Sequence, residues 1–173
     1  MEVYWYAIRV SYGRVMKFSA QLQELGVEHF VPMQIKKVIK DGNTCVSRVP
    51  AVSNLCFVHT SRSYLDNLFL DMGENRYVHY IWDKSSRAPI VVPQKAMDDF
   101  IRVCNIMSDD ILYLKDITSK LREGQRVRVV EGPFKGVEGV VLRIKRSRRV
   151  VVELPGMLAV ATTFIHPSGL ELI

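Results

Sequence analysis

Cysteine is scarce: the chain has three in 173 residues, Cys45, Cys56 and Cys104. None forms a CxxC pair, and an odd number cannot be fully paired within one chain. A disulfide scaffold and a structural zinc site are therefore not the expected frame, and reduced thiols in a cytoplasm are. Long apolar runs are missing too, and none approaches the roughly 18 residues that would suggest a membrane-spanning helix. The first ten residues, MEVYWYAIRV, have no basic stretch ahead of a long apolar one, so no secretory signal is expected. The histidines His29, His59, His79 and His166 are scattered, with no metal-ligand spacing and no nearby serine or cysteine partner. Neither a GxxxxGK[ST] loop nor a GxGxxG after a strand is present. Asp98-Asp99 and Asp109-Asp110 fall in an expected helix and a connector, where surface solvation accounts for them. This inventory argues against an enzyme, and no cofactor or metal is expected.

What is present is an ordinary globular mixture with an uneven charge. Hydrophobic residues make up 48% and charged residues 24%, which argues against wholesale disorder. The formal net charge is +6, and residues 120–173 carry ten basic and five acidic side chains, nearly the whole excess. Such a basic end suits a nucleic acid or another polyanion, or equally a solvated surface that keeps the protein soluble.

Hydrophobic periodicity divides the chain in two. A strand is expected at 4–10, then a helix through Val15, Phe18, Leu22 and Leu25 that stops at Gly26. A strand over 29–39 follows, with Pro32 near its start and an Asp41-Gly42 hairpin turn after it. Further elements are a short strand at 55–58, a helix through Tyr64, Leu65, Leu68 and Phe69, and a strand over 77–82. A polar loop at 83–88 and a helix from Pro93 to about Cys104 complete this part. Mixed order of this kind indicates an α+β sandwich rather than a doubly wound sheet. Residues 106–120 read as a linker or short helix. From Gln125 onward, strand-like segments at 126–131, 139–145, 149–154 and 158–164 are separated by GPFKG, SR and PG, which suggests a small β-barrel.

The most specific stretch is RVRVVEGPFKGVEGVV, residues 126–141. Gly132, Pro133 and Gly136 punctuate two strands, Gly139 opens the second, and Phe134 is placed to cover a barrel end. This pattern resembles the KOW motif of transcription elongation factors and some ribosomal proteins. Upstream, Trp5-Tyr6, a glycine before the first helix, FVPMQIKKV at 30–38, NLCFV at 54–58 and RAPIVVP at 87–93 occur in the order of an NGN domain. Together they make the chain similar to the NusG-like transcription factors. The resemblance implies an N-terminal NGN α/β sandwich, an antiparallel sheet with flanking helices, at 1–107. A linker at 108–121 and an SH3-like KOW barrel at 122–173 would follow.

The resemblance also implies a binding role without catalysis, in which the NGN domain grips the clamp helices of RNA polymerase and suppresses pausing. That surface would fall on Arg9, Val52, Ser53, Leu55, Phe57 and Tyr80, although NusG relatives usually carry aromatics and a proline where Val52, Ser53 and Leu55 stand. A second surface, toward the non-template DNA strand, would fall on Trp5, Arg14, Lys17 and Gln21. The last three share a helical face by their spacing. Lys36, Lys37 and Lys40 either add phosphate contacts or protect a strand edge. Arg143, Lys145, Arg146, Arg148 and Arg149 form a basic hairpin suited to nucleic acid such as nascent RNA, with Arg143 and Lys145 expected on one face. The aromatic-Gly-Arg segment by which general NusG reaches Rho or the ribosome is replaced by Leu154-Pro155-Gly156-Met157, so those contacts do not carry over. The chain most resembles the UpxY-type antiterminators of capsular-polysaccharide operons, with RfaH more distant, and is expected to be a cytoplasmic monomer whose barrel keeps its β form. The alternatives are general NusG coupling to Rho or the ribosome, and a ribosomal-type KOW protein that binds RNA.

Overall fold

The computed structural model describes residues 2–106, 110–114, 124–154 and 157–173. By backbone contacts the chain forms two compact units, residues 1–34 with 48–94, and residues 35–47 with 95–173. The sequence-based division at 107 and 122 cuts the chain differently, since the hairpin arms 35–47 and the helix beginning at Gln94 group with the C-terminal strands.

In the first unit, β1 (Tyr4–Val10) is the spine. It pairs antiparallel with β5 (Leu55–Thr60) along one edge. Along the other edge it pairs with β6 (Val78–Tyr80) and β9 (Val91–Val92). On the outer side of β5 lies β2 (Glu28–Phe30). Alternation puts Tyr6, Ile8 and Val10 on one face, where Cys56, Val58 and Val78 join them. Two helices cover that face, α1 (Val15–Glu24) with Val15, Phe18 and Leu22, and α2 (Arg62–Asp71) with Leu65, Leu68 and Phe69. The Ser61 hydroxyl caps α2 by accepting from the Tyr64 N–H at 3.3 Å. Gly26 ends α1 in the left-handed region, φ +67, as its position suggested. Trp5, Ala7, Leu55 and Phe57 on the opposite face are buried as well.

Two expected strands are each split. The 29–39 segment breaks at Val31-Pro32, because proline has no N–H for a ladder, and resumes as β3 (Met33–Lys40). β3 forms a separate two-stranded sheet with β4 (Asn43–Pro50) across the expected Asp41-Gly42 turn, where both residues have positive φ. The 77–82 segment breaks at Ile81, whose N–H bonds the Ala7 carbonyl and whose carbonyl accepts from Ile90. Beyond it, the expected loop is a hairpin of β7 (Trp82–Asp83) and β8 (Ala88–Pro89).

The second unit contains α3 (Gln94–Cys104) and a sheet in the order β10-β14-β13-β12-β11-β15. These strands are β10 (Leu112–Leu114), β11 (Gln125–Val129), β12 (Glu138–Ile144), β13 (Ser147–Leu154), β14 (Leu158–Ala161) and β15 (Leu170–Leu172). Every strand register described in both units is antiparallel. β10 lies where a linker was expected, and the rest of that linker is largely outside the described residues. Leu112 faces Ala161 and Leu114 faces Ala159, so large side chains meet small ones and hold the segment in the sheet. On α3, Lys95 bonds Asp99 at 2.6 Å and the Gly136 carbonyl at 2.9 Å. Asp99 in turn accepts from the Glu138 N–H at 3.1 Å.

Candidate nucleic-acid interface

Arg14, at the N-cap position of α1, and Lys17 and Gln21 within it converge on one aromatic ring. Tyr77 follows the α2 C-terminal turn and enters β6, and its hydroxyl donates to Gln21 Oε1 at 3.1 Å. The Arg14 guanidinium lies 5.4 Å and the Lys17 ammonium 5.6 Å from the ring centroid, both within cation–π range. Phe18 meets the same ring edge-on at 6.3 Å. Burial pushes the Tyr77 hydroxyl above its ordinary pKa, with Arg14 pulling the other way. It is therefore neutral and keeps its proton for Gln21. These groups line an open cleft of about 540 Å³ that Asn75 and Arg76 extend. The cleft offers three cations against one carboxylate, Glu74, a composition suited to phosphates beside an aromatic.

Trp5 does not join this group. Its neighbours in register are His59 and Val92, on the sheet face opposite α1, and it is 2% exposed. It stacks on the His59 ring at 4.8 Å. The aromatic of the cleft is Tyr77, which periodicity in the sequence placed only as the start of a strand. For Arg76 the one local signal in the sequence is a cation beside an aromatic just after the Gly73 break.

The proposed polymerase-contacting residues are divided by the sheet. Arg9 is opposite Leu55, and Phe57 is opposite Ala7, so these share a face. Arg9 is exposed, but Leu55 is buried and Phe57 has no exposed surface. Val52 and Ser53 precede β5 in a loop that is half-buried to exposed. Tyr80 pairs with Ile8, which puts it on the other face, against α2. There its hydroxyl donates to Asp66 at 2.8 Å and its ring lies 5.0 Å from Phe69. Burial raises the Tyr80 pKa, and the bond to Asp66 raises it further.

In the second unit Gly132 (φ +75) and Gly136 (φ +90) occupy left-handed positions, and Phe134 between them is buried. A Cβ on Gly139 would lie 2.4 Å from the Val151 carbonyl, so the close approach of β12 to β13 requires glycine there. The basic hairpin is real but divided. Lys145 and Arg146 form its two-residue turn with φ of +49 and +65, so Lys145 does not share a strand face with Arg143. Arg143 instead faces Arg148 across the strands. Arg149 is not part of the surface: it is 5% exposed, pairs with Asp110 Oδ1 at 2.6 Å, and donates to the Asp110 and Thr162 carbonyls. Of the segment replacing aromatic-Gly-Arg, Leu154 is fully buried and Pro155-Gly156 lie outside the described residues.

Among the described residues no helix is long and apolar enough to cross a membrane, and no cluster of metal-ligating side chains occurs. Lys36, Lys37 and Lys40 are on β3, and all three are exposed. A family model for transcription termination factor NusG matches residues 3–101, and one for the KOW motif matches residues 123–153. A solved structure from Thermotoga maritima, NusG described for its domain interaction, is similar over 100% of this chain and 98% of its own. The identity is 20% and the TM-score 0.49. No curated protein matches the sequence. The NusG match spans more than half of the chain, and the KOW match begins just ahead of β11 and runs into β13. The chain belongs to the NusG family of transcription factors, with NGN and KOW modules in that order.

Proposed function

We propose that the protein is a cytoplasmic elongation and antitermination factor that binds the clamp helices of RNA polymerase through its NGN module. In this reading it keeps the enzyme processive on one operon, with a surface-polysaccharide cluster as the expected setting. The Tyr77 cleft carries the reading, because Arg14, Lys17 and Gln21 are held on a neutral ring where a single strand such as the non-template DNA can lie. Arg9, Val52 and Ser53 offer the polymerase-facing surface, and buried Leu55 and Phe57 support it from within the sheet. The module limits 1–107 and 122–173, and a monomeric state, belong to the same proposal.

The test is transcription in vitro through a terminator downstream of the protein's own leader. Added protein raises readthrough, and the double variant R14A/K17A loses most of that gain. Readthrough that is unchanged by the wild-type protein overturns the reading. Capture by isolated clamp helices, weakened by R9A, checks the polymerase contact separately. A second reading, an RNA-binding KOW protein, is favoured by the cations Arg143, Lys145, Arg146 and Arg148 of the β12–β13 hairpin. It requires salt-steep RNA binding without polymerase affinity. General NusG coupling would instead require capture of Rho or the ribosome.

A further inference from the structure

A second tryptophan stands where strand tryptophans seldom do. Trp82 is 52% exposed, whereas Trp5 in the same unit is 2% exposed. Its indole meets Tyr80 at 6.4 Å and near a right angle, at the rim of a groove also lined by Phe69, Leu70 and Arg76. Leu70 is 74% exposed there. Arg76 lines both this groove and the Tyr77 cleft, so the two depressions adjoin at its side chain. Asp66, the carboxylate lining the groove, is occupied by the Tyr80 hydroxyl and by Arg62 at 3.7 Å.

The hairpin that carries Trp82 is built to hold it still. The Asp83 carboxylate accepts from the Ser85 N–H at 2.9 Å and from the hydroxyls of Ser85 and Ser86, closing the tip on itself. Lys84 and Arg87 stand exposed on that tip. An indole on a pinned hairpin, with one cation shared with the cleft and two on its own turn, has the composition of a base-stacking platform beside a phosphate track.

We propose that Trp82 stacks a base of a single DNA strand that runs from the Tyr77 cleft past Arg76 into this groove. The inference rests on the cleft being a nucleic-acid contact and adds the groove as its continuation. Arg76 in the groove, with Lys84 and Arg87 exposed on the hairpin, favours a polyanion over an apolar protein segment.

The experiment uses the full chain and labelled short oligothymidylate, with an abasic tract of equal length as control. Of the two tryptophans only Trp82 is exposed, so base stacking quenches its fluorescence and shields it from acrylamide, whereas the abasic tract does neither. W82A weakens oligothymidylate binding about ten-fold, W82F only a few-fold, and abasic binding is the same in all three proteins. R14A/K17A weakens both ligands alike. If W82A binds oligothymidylate like wild type while R14A/K17A does not, the groove proposal is overturned and the cleft reading stands. If neither variant matters, both fall. Loss of polymerase capture by W82A without nucleic acid would make the groove a protein contact and overturn the proposal. Tighter binding of the matching RNA would overturn its assignment to DNA.

Discussion

Two cationic regions of this protein are built in opposite ways. At the Tyr77 cleft, Arg14 and Lys17 rest on an aromatic ring and Gln21 is held by its hydroxyl, so the charges are positioned before any ligand arrives. At the β12–β13 tip, Arg143 faces Arg148 directly, and the turn is made of Lys145 and Arg146 in left-handed backbone that glycine or asparagine would adopt more easily. Among the described residues no side chain of these four is in an ion pair. Cations in the cleft help to hold the fold, whereas those at the tip strain it. In the second reading proposed above, a polyanion bound at the tip would offset that repulsion, and the cleft has an orientation to offer that the tip lacks.

The sharpest way to break this comparison is at Arg149, which is adjacent to the tip in sequence but has a structural role. R149A removes a buried guanidinium together with its bonds to Asp110 and to the Thr162 carbonyl, a loss of about 3 kcal/mol by urea denaturation of the full chain. Its effect on RNA affinity per folded molecule is small. Equal stability of wild type and R149A would put Arg149 back on the binding surface with its neighbours.

The cleft comes next in size. Removing Arg14 and Lys17 costs about 1 kcal/mol of stability, because the Tyr77 ring no longer has a cation over it. It also lowers the slope of log affinity for single-stranded DNA against log salt by about 0.7 for each phosphate no longer engaged. Y77F keeps the platform and gives up only the bond to Gln21, at a cost of about 1 kcal/mol. A salt slope that R14A/K17A leaves untouched would separate the cleft from nucleic acid altogether.

The legible parts of the molecule are those where local chemistry dominates. Asp41-Gly42, Gly26 and the GPFKG turn declare their positive φ in their residue types, and the α1 and α2 core positions follow from spacing alone. Pro32 split a strand that its apolar flanks had joined. Leu112-Tyr113-Leu114 reads as linker until the alanines of β14 are known to lie opposite. The site was half legible: spacing put Arg14, Lys17 and Gln21 together, but only the tertiary fold could bring a residue 56 positions beyond Gln21 beneath them. Residue type suggests surface chemistry for Trp5 and Arg149, yet both are buried, because burial depends on where in the sheet each is held.

The smallest effect is the most diagnostic, because it reverses sign. K145N/R146G gives the β12–β13 turn the residues its backbone already requires and removes two like charges from a crowded tip. Stability rises by about 0.5 kcal/mol, in contrast to the decrease at the cleft. RNA affinity falls in parallel, with a shallower salt dependence by about 0.7 for each phosphate released. The double variant R143Q/R148Q relieves the cross-strand repulsion without touching the turn, and so separates the electrostatic part of the gain from the backbone part. If K145N/R146G were both more stable and undiminished in RNA binding, the charges at this tip would serve no polyanion. The cleft would then remain as the cationic region with a claim on nucleic acid.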